Sequence, residues 1–207
     1  MISNKVNLVN SIRETLSRLL DTLKLEGVGP IIRRFFINTL FDSTFMLLGI
    51  IVGSALAAEA GLRVIMVTML TTSIALGIST GVSVYEAESL EQEKKIEDLE
   101  KALFTDLTDT SIQKTAKNTI LLATIINFGT PLLSCTITII PFILVGAGLL
   151  EISIAGWISV ALALGTLFVA GVYMGRIGQT NPYKKGVRMV VFGVLAFTVG
   201  YLLDWLI

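Results

Sequence analysis

Histidine is absent from all 207 residues. Its absence removes the commonest neutral-pH general base and a frequent metal ligand, excluding His-based triads, His-ligated zinc and haem sites. Cysteine occurs once, at Cys135, so there is no intrachain disulfide and no thiolate cluster, and the compartment stays open on that count. An excess of either charge is also missing: 16 basic residues balance 16 acidic ones, and nothing favours nucleic acid as a partner. Phosphate loops, cofactor fingerprints and nucleophile-and-base pairs are lacking too, so the chain is expected to be no enzyme and to need no cofactor.

What is abundant is apolar. The chain is 53% hydrophobic and only 15% charged, with a mean hydropathy of +0.79, which describes a multi-pass membrane protein. Residues 1–25 carry charges every few positions and no unbroken apolar core, so no cleavable signal peptide is expected. Within them, Leu8, Val9, Ile12, Leu16, Leu19, Leu20 and Leu23 recur at three-and-four spacing around Arg13, Arg18 and Asp21. That is an amphipathic helix too polar to span, either lying on the bilayer surface, packed under the bundle or binding a partner. Gly27, Gly29 and Pro30 then predict a break.

The first crossing is expected at residues 35–58, followed by a turn containing Glu59, Gly61 and Arg63 and a second crossing at 64–85. The acidic stretch EAESLEQEKKIEDLEKAL continues the second helix into water. It stops near residues 105–109, and Asp109 or Ser111 is the expected cap of the next helix. Residues 117–151 are apolar for longer than one crossing needs and contain Pro131 and Pro141, so they form one kinked crossing or two short ones. Two further runs, 152–175 and 187–207, flank the polar turn RIGQTNPYKK.

Basic residues decide the count. Five spans put 15 of the 16 Lys and Arg on one side and leave Arg63 opposite, whereas six spans split them 11 to 5. The positive-inside rule therefore favours five spans, with the N-terminus cytoplasmic and the C-terminus outside. The expected layout is an N-terminal cytoplasmic segment (1–34), helices one and two (35–85), an acidic cytosolic helix and linker (86–111) and helices three to five (112–207).

One carboxylate, Asp42, lies inside the first crossing. Met46, Gly49 and Gly53 follow at i+4, i+7 and i+11, on one helical stripe. An intramembrane acid is costly and marks either a functional site or a residue near the interface, here paired with Arg33 or Arg34. Buried, it would hold its proton more tightly and could exchange it for a cation. In the second crossing Thr68, Thr72, Ser79 and Glu86 fall near one face, where hydroxyls either replace a cation's hydration or bond along their own helix. Glu93, Glu97 and Glu100 share a face that either gathers hard divalent cations or is a solvated surface with Glu91–Lys95 and Glu97–Lys101 pairs. The patterns Gly49/Gly53, Gly77/Gly81 and Gly171/Gly175 predict close helix approach, within the bundle or at a homodimer seam.

From residue 33 onward the order of features resembles the vacuolar iron transporter family. The resemblance rests on Arg34 and the Asp42 span ending in LGIIVGSALA, the second span closing in ISTGVSVYEAESLEQE, NFGTPLL in the third, and the final ALGTLFVAGVYMGRIGQTNPYKKGVRMVVFGVLAFTVGYLLDWLI. It implies a five-span homodimer that moves ferrous iron or manganese out of the cytosol against protons. Asp42 would then be the intramembrane ligand on the dimer seam. Met46, Ser79, Thr80 and Glu86 would line the path, and Glu93, Glu97 and Glu100 would stand at its mouth. The implied location is the cell membrane in a prokaryote and a vacuole-like organelle in a eukaryote. The chain departs from the family in having Ser43 where a glycine is usual, and Thr80, Ser83 and Val84 where the second-span signature has methionine, glycine and glutamate. About thirty residues separate Tyr85 from the third span, fewer than the family's multi-helix metal-binding domain. A scaffold that kept the bundle without the metal site, or a carrier of another substrate, is the alternative.

Overall fold

The computed structural model describes residues 28–57, 60–108 and 110–206. The predicted amphipathic helix at 8–23, Asp109 and Glu59 of the first turn lie outside them. Among the described residues the chain is all-helical, and five helices are long and apolar enough to cross a membrane. The protein is thus a multi-pass integral membrane protein. In lipid every backbone group must find its partner internally, which is why long apolar runs become helices and not loops.

Helix α1 is Val28–Ile51 and continues as a π-helical stretch, Val52–Ala57. It takes in the seven residues before the expected crossing, and the expected break is corrected: Gly29 and Pro30 sit inside its first turn. Proline is tolerated there because the first N–H groups of a helix have no intrahelical acceptor. Helix α2, Leu62–Leu103, has 42 residues, ~63 Å of helix, which is twice what the bilayer core needs. Its charged second half is the expected extension beyond the second crossing. Phe104 ends it in the left-handed region (φ 51°), with the Thr105 N–H reaching back to the Glu100 carbonyl at 3.4 Å.

Helix α3, Ser111–Gly146, resolves the choice left at residues 117–151: it is one continuous helix through both Pro131 and Pro141. Thr110 caps it, its Oγ1 accepting from the Gln113 N–H at 3.5 Å, one residue away from either expected cap. Helices α4, Ile152–Ile177, and α5, Pro182–Leu206, are joined by a turn of four residues. The expected ten-residue polar turn is shorter because Pro182 opens α5, a position that suits its fixed φ, and Asn181 Oδ1 accepts from the Lys184 N–H at 3.4 Å.

The chain packs as two compact units. One combines Ile37–Ser79 with Phe128–Ile207. Its core joins Leu47, Leu48 and Ile51 of α1 to Ile65 and Met69 of α2, Cys135, Ile139 and Phe142 of α3, and Ala155, Ala163 and Leu167 of α4. One of the glycine patterns, Gly171/Gly175, serves it directly. A Cβ on Gly175 would stand 2.4 Å from Pro182 Cα and one on Gly171 2.8 Å from Gly186 Cα, so α4 and α5 touch backbone to backbone. The other unit combines the described residues 28–36 with Thr80–Asn127, around Val28, Ile32, Val84, Leu122 and Ala123.

Candidate functional site

The rotation of α1 decides where its carboxylate points. Thr39, Leu40, Ser43, Thr44, Leu47 and Leu48 are buried, whereas Asn38, Asp42, Met46, Gly49 and Gly53 are exposed along the other side. Two hydroxyls hold that rotation. Ser43 Oγ lies 3.0 Å from Ser134 Oγ of α3 and donates to it, and Thr44 Oγ1 lies 3.4 Å from the same oxygen. Both also bond back one turn to the Leu40 carbonyl, at 3.1 and 2.6 Å. Ser43 therefore has a use in the bundle at the position where the resembled family has glycine, and by pointing inward it turns its neighbour Asp42 outward.

The outward stripe is chemically mixed. It offers a carboxylate, an amide one turn earlier at Asn38, and a thioether at Met46, which is 45% exposed. Asn38 was missed from the sequence, although its i−4 spacing from Asp42 was legible. A Cβ on Gly49 or Gly53 would meet nothing within 4 Å, in contrast to Gly77, whose Cβ would stand 2.7 Å from the Phe128 carbonyl. Of the three glycine patterns, only the one on the Asp42 stripe is thus unused by the chain's own described residues. Arg34 stacks on the Phe35 ring at 5.0 Å.

The remaining candidates divide by use. Ser79 and Glu86 are exposed. Thr80 Oγ1 donates to the Asn127 carbonyl at 3.3 Å, tying α2 to α3 as interhelical glue. Glu93 is exposed, Glu97 pairs with Lys101 at 2.5 Å, and Glu100 Oε1 accepts from the Leu107 N–H at 2.9 Å, closing the turn after α2. Glu91 pairs with Lys95 at 3.4 Å. The face expected to collect cations is thus partly spent on ordinary helical pairs and a loop closure. Among the described residues no three of His, Cys, Asp and Glu come together as a metal-binding group.

Two acids in this region were not singled out from sequence. Glu88 is only 3% exposed and accepts from Gln92 Nε2 at 2.6 Å, one turn after the buried Val84. Periodicity relative to Val84 was the available signal. Asp106, in the turn after α2, accepts from both the backbone N–H and the hydroxyl of Thr108, and these bonds hold its carboxyl below the usual range.

Residues 106–204 match the VIT family. Over that segment, a little under half of the chain, it is similar to the VIT family. The match takes in α3, α4 and most of α5. An uncharacterized protein of Methanocaldococcus jannaschii is 26% identical over 169 residues, covering 80% of this chain and 84% of its own length. Every candidate metal ligand, from Asp42 to Glu100, lies before residue 106 and so outside the matched segment. The scaffold thus carries the family match, and the ligands are argued from the geometry of α1 and α2.

Proposed function

We propose that this chain is a divalent-cation transporter of the ferrous iron and manganese type, moving metal out of the cytosol in exchange for protons. The observation that carries the reading is the exposed stripe Asn38–Asp42–Met46–Gly49–Gly53. Facing the same stripe of a second copy, it would set two carboxylates, two amides and two thioethers around one axis, with the glycines allowing close approach. Oxygen donors suit hard cations and the thioether adds preference for the softer members of the first transition row. The metal is the cargo, and no resident cofactor is needed. The match of residues 106–204 to the VIT family supports metal-ion transport, while the substrate, direction and coupling are our reading.

Ser79 and Glu86, exposed on α2, extend the donor supply toward the cytosolic extension, and Glu93 is the candidate collector least committed to neighbours. The test is flux of ferrous and manganous ions into proteoliposomes. Wild-type protein should transport at least one of them with counterflow of protons, and Asp42→Asn should abolish the flux. Undiminished flux in that variant would sink the proposal.

A second reading, a membrane scaffold without transport, is favoured by one observation. Val84, standing where the resembled family has glutamate, is 6% exposed in the core around Val28 and Leu122. Calorimetry separates the two readings: a transporter binds ferrous or manganous ion in an Asp42-dependent manner, and a scaffold does not.

A further inference from the structure

The unit built from α1's start, the end of α2 and the start of α3 holds an open groove of about 490 Å³. Ile96 and Leu99 of α2, Ile112 and Ala116 of α3 and Val28 and Ile31 of α1 give it an apolar lining, interrupted by Gln92, Lys95, Ser111, Thr115 and Thr119. The groove continues a packed seam. Gly81, Val84 and Glu88 are buried on one face of α2, and the same face runs on through Gln92, Ile96 and Leu99. Where α1 begins, that seam loses its cover: Leu99 is 42% and Ile112 43% exposed, on helices whose charges place them in water. Contiguous apolar surface in water marks a docking site.

We propose that the groove is the seat of this chain's own residues 8–23. Three observations converge on that occupant. The first is connection: Val28, which lines the groove, follows the segment after four residues, 24–27, which reach at most ~14 Å. The second is fit: the α3 wall, Ser111 to Thr119, is ~12 Å long, matching the two helical turns that carry Leu16, Leu19, Leu20 and Leu23. The third is charge: residues 1–24 carry Lys5, Arg13, Arg18 and Lys24 against Glu14 and Asp21, net +2, opposite in sign to the α2 stretch 86–101 at net −4, while Lys95 in the lining and Lys114 and Lys117 on the α3 wall direct that attraction to the α2 side. An amphipathic helix laid with its apolar face in a groove is a recurring recognition mode. Docked, it would cover the seam and hold the acidic extension of α2 against α3. The inference does not depend on whether a cation is transported.

The test uses full-length protein in nanodiscs, with Cys135→Ser and the pairs Leu19→Cys with Ile112→Cys and Leu16→Cys with Leu99→Cys. Isotopically heavy and light chains are mixed before oxidation. Disulfide-linked peptides within one isotope class support the proposal, as does Leu19→Asp speeding amide exchange at residues 92–99 and 112–119 about tenfold. Mixed-isotope links would make the occupant a second copy and overturn it. Absence of links also overturns it, and quenching of a probe at residue 19 by spin-labelled lipid would then assign the segment to the bilayer surface.

Discussion

At the scale of the residue, Asp42 gains its meaning from its neighbours. Because Ser43 and Thr44 both engage Ser134, the carboxylate next to them is turned away from the core. Ser134→Ala leaves both hydroxyls their Leu40 carbonyl, so it should destabilise by only about 0.6 kcal/mol, the usual worth of an interhelical bond in lipid. Thermal unfolding in detergent reads that shift. Asp106 gives a pH prediction. Its pKa is depressed in the folded protein, so its contribution is present above the ordinary aspartate value, about 3.9, and is lost as pH falls through the folded value. The Thr108 amide resonance should move in that acidic window, and Asp106→Asn should show no such step. Asp42 was legible in the sequence as an acid in an apolar run. Its outward direction was not, since that follows from a hydrogen bond between residues 91 positions apart.

At the scale of the element, the three glycine patterns read alike in sequence and differ in the fold. Gly171 and Gly175 carry the contact of α4 with α5, Gly77 meets the carbonyl of Phe128, and Gly49 and Gly53 meet nothing in their own chain. Gly175→Ala places a methyl 2.4 Å from Pro182 Cα and should cost about 1–3 kcal/mol through backbone displacement. Gly49→Leu, by contrast, should leave the unfolding temperature of the isolated chain unchanged while weakening self-association, measured by single-molecule photobleaching in lipid. Loss of fold with Gly49→Leu would count against an open stripe. Helix ends show the same division. Pro182 at the first position of α5 is a local rule and was there to be read, whereas the helical course of α1 through residues 28–34 depends on Val28 and Ile32 finding Leu122 and Ala123 to pack on. The single passage of α3 through Pro131 and Pro141 likewise follows from packing, because both prolines are buried in it.

At the scale of the whole molecule, five crossings and the lopsided distribution of Lys and Arg argue for a cytoplasmic N-terminus and an external C-terminus. The proposed layout of an N-terminal cytoplasmic segment, two crossings, an acidic cytosolic helix and three more crossings is checked by labelling. In a Cys135→Ser background, Gly61→Cys and Ala147→Cys should react with an impermeant maleimide added outside intact cells, and Thr180→Cys only after permeabilisation. The reverse pattern would invert the topology and with it the direction of transport. A single chain gathers no metal-binding group of three acids, cysteines or histidines among its described residues. Completion of the site across a two-fold seam is therefore the whole-molecule prediction: Asp42→Cys in the same background should form an interchain disulfide on oxidation.

By itself the sequence determined the class, the count of crossings and the chemistry on offer, because these depend on composition and on periodicity within one helix. Apolar runs of bilayer length must be helices, and basic residues stay on the side where crossing costs nothing. Only the tertiary structure decided which of the offered groups remain available. Thr80 and Glu100 offer the same chemistry as Ser79 and Glu93, yet the first two are engaged by Asn127 and Leu107. Availability depends on partners brought from other turns and other helices, and those distances are set by packing.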